Sequence, residues 1–600
     1  MISSLIPERG GTSLMLVEGG LTVIAIAVAF CLPKLGAASF SRIDKAFGRL
    51  ARQQGLAVIA TGVAALLLRL AILPIVPIPQ PFVPDDFSFL LAADTFMSGR
   101  LANPTPAMWA HFESIHITMK PTYMSMYFPA NGLILAVGKV LFGHPWFGSL
   151  CMIALMCAAL CWMLQAWLPP TWALLGGVLA ILRLGLFSYW INTYSGAASI
   201  SALGGALILG SLPRFMRMPR LRYSLLMAIG AILLATSRPY EGILLCMPVA
   251  VVLVRWILVG KQRPTLCVLA QCVAIPLMLV IGAAIWMGYY DYRAFGSPLT
   301  PPYKIDRATY AVAPYYIWQS PRPEPAYKHK VMRDFYSHYE LLDLGNLQTL
   351  SGFLPQTLFK GIRGVRFFTG IVLLPPFIMS RRVLKDRRIR FLLVSVIILA
   401  LGMAIEIFLL PHYIAPFTAA FYALGLQAMR HLRVWRPGDQ PVGLTLTRLI
   451  VTVCFLLGAL RVFAEPLRFR LPESSSSDWL SEWYGPGKFG VARAQIEEKL
   501  ENLPGPQLAI VRYSPRHNPI NEWVYNAPDI DRSKVIWARE MDDASNLELI
   551  HYYKNRKVWL VQPDLQPTGL SAYPLPETDT TRATDSISAA KNGKKAQRGG

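Results

Sequence analysis

The chain has 600 residues, of which 54% are hydrophobic and only 16% charged, and its mean hydropathy is +0.40. A water-soluble domain carries about a quarter charged residues, so the composition excludes an ordinary soluble protein. The formal charge of +23 would suit nucleic acid if it formed one patch, but its distribution along the chain points elsewhere.

The apolar residues come in long blocks such as Leu14–Cys31, Leu56–Ile78 and Leu266–Tyr289. A helix crossing a bilayer core needs about 20 of them, and about a dozen blocks approach that length. The predicted fold class is therefore mainly α, a polytopic transmembrane helical bundle of about 12 spans, followed by a small C-terminal α/β extracytoplasmic domain. Five short connections, Lys34–Gln54, Pro213–Arg222, Arg255–Arg263, Arg381–Arg390 and Arg430–Arg448, hold 22 Lys or Arg against three acids. The positive-inside rule places them in the cytoplasm. The charge thus reports topology, and no nucleic-acid partner is expected. All eight cysteines fall in apolar segments and read as small buried hydrophobes rather than a disulfide framework or metal knuckle.

Taken in chain order, Leu14–Cys31 lacks a basic leading region and a small-residue cleavage site, and reads as a retained first span. Leu56–Ile78 returns the chain to the outer face, where residues 79–131 form a first outer loop. Gly132–Phe142 is too short to cross and is expected to be re-entrant or interfacial. Phe147–Leu168, Trp172–Trp190, Gly196–Leu212, Tyr223–Thr236, Ile243–Val254 and Leu266–Tyr289 follow as spans. A second outer loop covers residues 291–363, and Val365–Met379, Phe391–Leu410, Tyr413–Met429 and Leu449–Phe463 complete the membrane domain, 1–464. Residues 465–576 read as the polar domain, with strands at Leu508–Tyr513, Val535–Ala538 and Val558–Gln562. Its helices are expected at Val491–Asn502 and Ser545–Lys554, the latter capped by Ser545. Residues 577–600 are expected to be disordered. Both termini and the C-terminal domain fall outside the plasma (inner) membrane of a bacterium.

The most informative stretch is Pro84-Asp85-Asp86-Phe87, directly after the second span. Two adjacent carboxylates at a bilayer lip are costly unless solvated, paired or bound to a cation. Such a pair suits a general base or a metal ligand, or it caps the helix predicted over Phe87–Ser98. His111, Glu113 and His116 in the same loop are candidate ligands with Asp85 and Asp86 for a divalent cation, Mg or Mn by oxygen and Zn by histidine; the other reading is ordinary hydrogen bonding. Arg238 and Glu241 either pair with each other or leave Arg238 to receive a lipid phosphate. Arg183 is an intramembrane arginine, a candidate substrate or phosphate contact lining a cavity, the other reading being that it snorkels or pairs with an acid such as Glu406, and Arg69 raises the same question. Lys304 and Arg307 of the second loop are candidate phosphate contacts among charges that otherwise form a solvated face. His412-Tyr413 at a span end is a weaker candidate of the same kind.

A span followed at once by two acids, a helix and a Gly-x-Leu…Pro loop resembles the first outer loop of the GT-C membrane glycosyltransferases, which include protein O-mannosyltransferases and the lipid A aminoarabinose transferase. DDFSFLLAADTFMSGRLANPTP, RLGLFSYWINTYSGA, TSRPYEG and FGSPLTPPY resemble a bacterial multi-pass membrane family associated with that superfamily. The family likeness covers most of the chain, and the GT-C likeness mainly the loop and topology. The resemblance implies transfer of a sugar from a polyprenyl-phosphate-linked donor to a glycan, lipid or protein acceptor on the outer face. It also implies that the first-loop acid, Asp85 or Asp86, activates the acceptor hydroxyl or helps hold a cation. A transporter or flippase of lipid-linked sugars and a non-catalytic envelope assembly protein are the other classes this sequence admits. Repeated halves meeting at midplane would mark the transporter, whereas these acids gather at one face.

Overall fold

In lipid every backbone N–H and C=O has to be satisfied within its own segment, so long apolar blocks must become helices. The computed structural model describes residues 9–195, 197–260, 264–342, 344, 347–463 and 490–574. The predicted tail and the start of the polar domain lie outside the described residues.

Six helices are long and apolar enough to cross a membrane: Gln54–Ala71, Trp146–Trp167, Ala198–Arg217, Pro239–Val259, Leu266–Phe295 and Val442–Phe463. A seventh arises if Pro375–Lys385 and Arg390–Ile405, bent by 110°, form one span. Met15–Cys31, Pro129–Phe142, Pro170–Gly185 and Leu221–Ala235 are apolar but shorter. Helix length therefore does not reach the expected count of about 12. Local breaks account for two of the expected spans. The predicted span Trp172–Trp190 divides into Pro170–Ala180, a π turn at Ile181–Gly185 and Tyr189–Asn192, where Ser188 caps the restart by accepting from the Trp190 N–H. Val365–Met379 is divided at Gly370, whose φ of +58° ends the helix Leu350–Thr369.

The chain divides into two compact units. Of the described residues, those in 9–105 and 115–463 fall in one, and those in 106–114 and 490–574 in the other. In the first, small residues let helices close on one another: a Cβ on Gly204 would meet the Gly230 carbonyl at 2.9 Å, and one on Gly230 would meet the Gly204 carbonyl at 2.6 Å. The loop between Gln54–Ala71 and Pro129–Phe142 adds a two-stranded antiparallel ribbon, β1 (Ile117–Thr118) and β2 (Met124–Ser125).

The second unit is a four-stranded sheet in the order β4-β3-β5-β6. β3 (Gln507–Val511) runs parallel to β4 (Val535–Arg539) and β5 (Lys557–Gln562), and β6 (Gly569–Ala572) is antiparallel on β5. The sequence analysis missed β6, whose Gly-Leu-Ser-Ala has no β-branched residue. The helices are Val491–Glu501 and Asp543–Tyr552. Asp542, not Ser545, caps the second, accepting from the Ser545 N–H at 3.0 Å. Trp523, Trp537, Leu500 and Val561 are among its core residues.

Candidate active site

The approach to the first outer loop is fixed from below. Arg69, fully buried near the end of Gln54–Ala71, donates to the Val76 carbonyl at 2.9 Å and to Asn192 Oδ1 at 3.0 Å. The helix Pro84–Met97 then starts with proline at its first position, where a missing N–H costs nothing. Consecutive helical residues diverge by about 100°, so Asp85 and Asp86 face different surroundings.

Asp86 is fully buried, and both its oxygens are occupied by main chain: Oδ1 accepts from the Tyr194 N–H at 2.9 Å and Oδ2 from the Phe82 N–H at 3.3 Å. Burial pushes its pKa up to about 7 against the opposing pull of those two bonds. Asp85 is open to solvent over 23% of its side chain. Its Oδ1 lies 2.5 Å from His116 Nδ1 and accepts from the Tyr127 hydroxyl at 2.7 Å. Among the described residues no hydrogen bond reaches Oδ2. Burial would raise this carboxyl's pKa, but His116, Tyr127 and the Arg238 guanidinium outweigh it and hold the carboxyl below its ordinary range. His116 moves the other way: burial works against its charge, and Asp85, Asp306 and Glu340 prevail to raise its pKa. The two shifts reinforce one another, each favouring the charged form of its group.

His116 has a φ of +64°, a left-handed conformation that a residue with a side chain holds only when its surroundings enforce it. Three contacts do so. Its carbonyl accepts from Ser88 Oγ at 2.6 Å and from the Met126 N–H at 3.2 Å, and its own N–H donates to Tyr336 Oη at 3.2 Å. The β1–β2 ribbon brings Tyr127 back beside it. Tyr127 stacks on Phe89 at 4.4 Å and meets Tyr303 edge-on at 5.6 Å.

Arg238 precedes Pro239–Val259 and is buried. Its guanidinium lies 4.2 Å over the Tyr413 ring and 3.9 Å from Glu241, a long ion pair. Burial opposes its charge, while Tyr303, Glu241 and Tyr413 together raise its pKa. The same guanidinium acts on Asp85. Nearby, His412 Nδ1 lies 2.9 Å from the Tyr189 hydroxyl, and burial, Arg238 and Arg363 push its pKa well below the ordinary imidazole range.

Lys304 is exposed. Arg307 is buried, with Nη1 2.6 Å from Glu340 Oε1 and Nη2 donating to the Ala313 carbonyl. Arg183 donates to the Phe367 and Arg366 carbonyls, each at 2.7 Å, at the C-terminal end of Leu350–Thr369. His111 turns its two ring nitrogens to the carbonyls of Arg539 at 3.0 Å and Ser545 at 3.2 Å, and the Glu113 carbonyl accepts from Arg539 Nε. His111 and Glu113 belong to the second unit, whereas Asp85, Asp86 and His116 belong to the first.

Among the described residues no group of three or more His, Cys, Asp or Glu suited to a metal occurs. Within the first unit Asp86 is filled by backbone N–H groups and Asp85 Oδ1 by His116 and Tyr127, which leaves Asp85 Oδ2 as the one open oxygen of the pair among the described residues. Sequence reasoning missed Tyr127, Asp306, Tyr336 and Glu340. The first is placed by a hairpin with two-residue strands, and the acids are scattered through a loop that reads as basic.

No protein-family model matches the chain, and no curated protein matches its sequence. Among solved structures it is similar to ArnT from Cupriavidus metallidurans bound to undecaprenyl phosphate, with 12% identity, a TM-score of 0.46, and coverage of 84% of this chain and 92% of that one. It is also similar to the Archaeoglobus fulgidus oligosaccharyltransferase complexed with Zn and sulfate, at 11% identity and a TM-score of 0.44, covering 84% and 67%. AglB from the same archaeon, with an inhibitory peptide and a dolichol-phosphate, gives 10% identity and a TM-score of 0.41 over 85% and 69%. These neighbours are GT-C membrane glycosyltransferases. The likeness is loose, and the functional reading rests on the site's own residues.

Proposed function

We propose that this chain is an integral-membrane glycosyltransferase that moves a sugar from a polyprenyl-phosphate-linked donor to an acceptor at the outer face of the membrane. Asp85 is the general base. An acceptor hydroxyl gives its proton to Asp85 Oδ2 as its oxygen attacks the anomeric carbon. The carbon–oxygen bond to the phosphate breaks, and its electron pair leaves on the carrier phosphate. Arg238 meets that charge, since a buried arginine is the side chain best suited to a phosphate. His116 and Tyr127 orient the carboxylate and keep it ionised, and Asp86 anchors the head of the helix. No step requires a metal held by these residues.

The observation that carries the reading is the asymmetry of the two acids: Asp86 has both oxygens bound to backbone, while Asp85 keeps one oxygen open among the described residues. The test uses the full chain in proteoliposomes supplied with undecaprenyl-phosphate hexose labelled in the sugar and a membrane extract as acceptor source. Asp85→Asn is expected to cut transfer by about 100-fold or more, the usual range for losing a general base. Unchanged transfer, or passage of label across the bilayer with no new glycosidic bond, contradicts the proposal.

A further inference from the structure

The second outer loop brings acids, not bases, to the Asp85–His116 pair. Asp306, fully buried on the helix Pro302–Tyr310, accepts from the Tyr336 hydroxyl at 3.2 Å. The Tyr336 oxygen in turn accepts the His116 N–H at 3.2 Å. One phenol oxygen therefore joins the strained first-loop residue to a second-loop carboxylate. The ring that carries it is locked. Tyr336 is fully buried, stacks on Tyr310 at 5.6 Å and meets Phe335 edge-on at 5.0 Å. Glu340 follows in the same turn, tied to Arg307, whose carbonyl accepts from Arg322 at 2.7 Å.

The titratable groups facing His116 come from four places: Asp85 from the helix Pro84–Met97, Tyr127 from the end of the ribbon, Asp306 from the second-loop helix, and Tyr336 with Glu340 from the turn after it. Asp85, Asp306 and Glu340 all favour the charged imidazole.

We infer that Tyr336 is a positioning residue for the base: through its single oxygen, the second outer loop holds His116 in its left-handed conformation and so keeps the imidazole on Asp85. This rests on the assignment of Asp85 as base. A phenol whose oxygen only filled space would be replaced by phenylalanine without effect on chemistry, because the stack on Tyr310 survives the exchange. If the oxygen positions His116, its loss lets the imidazole drift from Asp85, the carboxyl recovers a higher pKa, and less of it is ionised at moderately acid pH.

The experiment compares full-length wild type, Tyr336→Phe, Asp306→Asn and Asp85→Asn in proteoliposomes with sugar-labelled undecaprenyl-phosphate hexose, reading kcat and KM across pH. Tyr336→Phe is expected to lower kcat by about tenfold, within the range by which a mispositioned acid–base group slows a reaction. The donor KM should stay unchanged, and the acid limb of the kcat profile should move to higher pH. Asp306→Asn keeps the shape and removes the charge; it should move the same limb in the same direction, and it carries the test if Tyr336→Phe does not fold. Wild-type kcat and acid limb in a folded Tyr336→Phe, with Asp85→Asn inactive, would overturn this inference and leave the base assignment standing. Turnover that survives in Asp85→Asn would overturn both.

Discussion

Asp85 and Asp86 are one peptide bond apart, yet one carboxyl is held below its ordinary range and the other is pushed up to about 7. Helix geometry separates them: one residue turns toward an imidazole and a phenol, and the next turns into packed main chain. Burial acts against ionisation at both positions, and only Asp85 has cationic partners to outweigh it. The consequence for Asp86 is a pH-dependent stability. A carboxyl whose folded pKa lies near 7 and whose unfolded value lies near 4 binds more protons folded than unfolded in that window, so stability falls as pH rises through it. Asp86→Asn removes the titration. Its melting temperature should fall less steeply than that of wild type from pH 4 to 7, at the expense of one backbone contact worth about 1 kcal/mol. Parallel curves for the two proteins would contradict this account.

At the level of elements, the two arginines nominated by sequence differ in what they hold. Arg183 spends its donors on the last carbonyls of Leu350–Thr369, whereas Arg238 lies against the Tyr413 ring within the field of Asp85. Arg183→Met is expected to destabilise the protein by about 1–3 kcal/mol, the cost of leaving buried carbonyls unpaired, with the donor KM of the folded fraction unchanged. Arg238→Ala is expected to raise the donor KM or abolish transfer while the folded yield holds. Thermal melts together with donor titrations separate the two, and the reverse pattern would exchange their roles. The long apolar helices and three strands of the C-terminal sheet were legible because apolar blocks and β-branched runs are local signals. The break at Ile181–Gly185, the stop at Gly370 and strand β6 were not, because each depends on packing rather than composition. Within the site, the acids at the head of Pro84–Met97 were legible from their place after a span. Their division of labour was not, since it depends on Tyr194, His116 and Tyr127, all three outside the helix that carries the acids.

For the whole molecule, the charge asymmetry of the loops predicts an orientation that the proposed reaction depends on, with the polyprenyl carrier presenting its sugar at the outer face. In a background with the eight native cysteines replaced, Lys304→Cys should react with a membrane-impermeant maleimide added outside intact cells, and Arg387→Cys only after permeabilisation. The opposite labelling would put Asp85 on the cytoplasmic side and remove the proposed site from its substrate. The central claim, that the Asp85 carboxylate performs the proton transfer, is tested most directly by single-turnover transfer from undecaprenyl-phosphate hexose preloaded on the full-length protein. The account predicts that Asp85→Asn binds the donor as wild type does and transfers its sugar about 100-fold or more slowly. A wild-type single-turnover rate in that variant would contradict it.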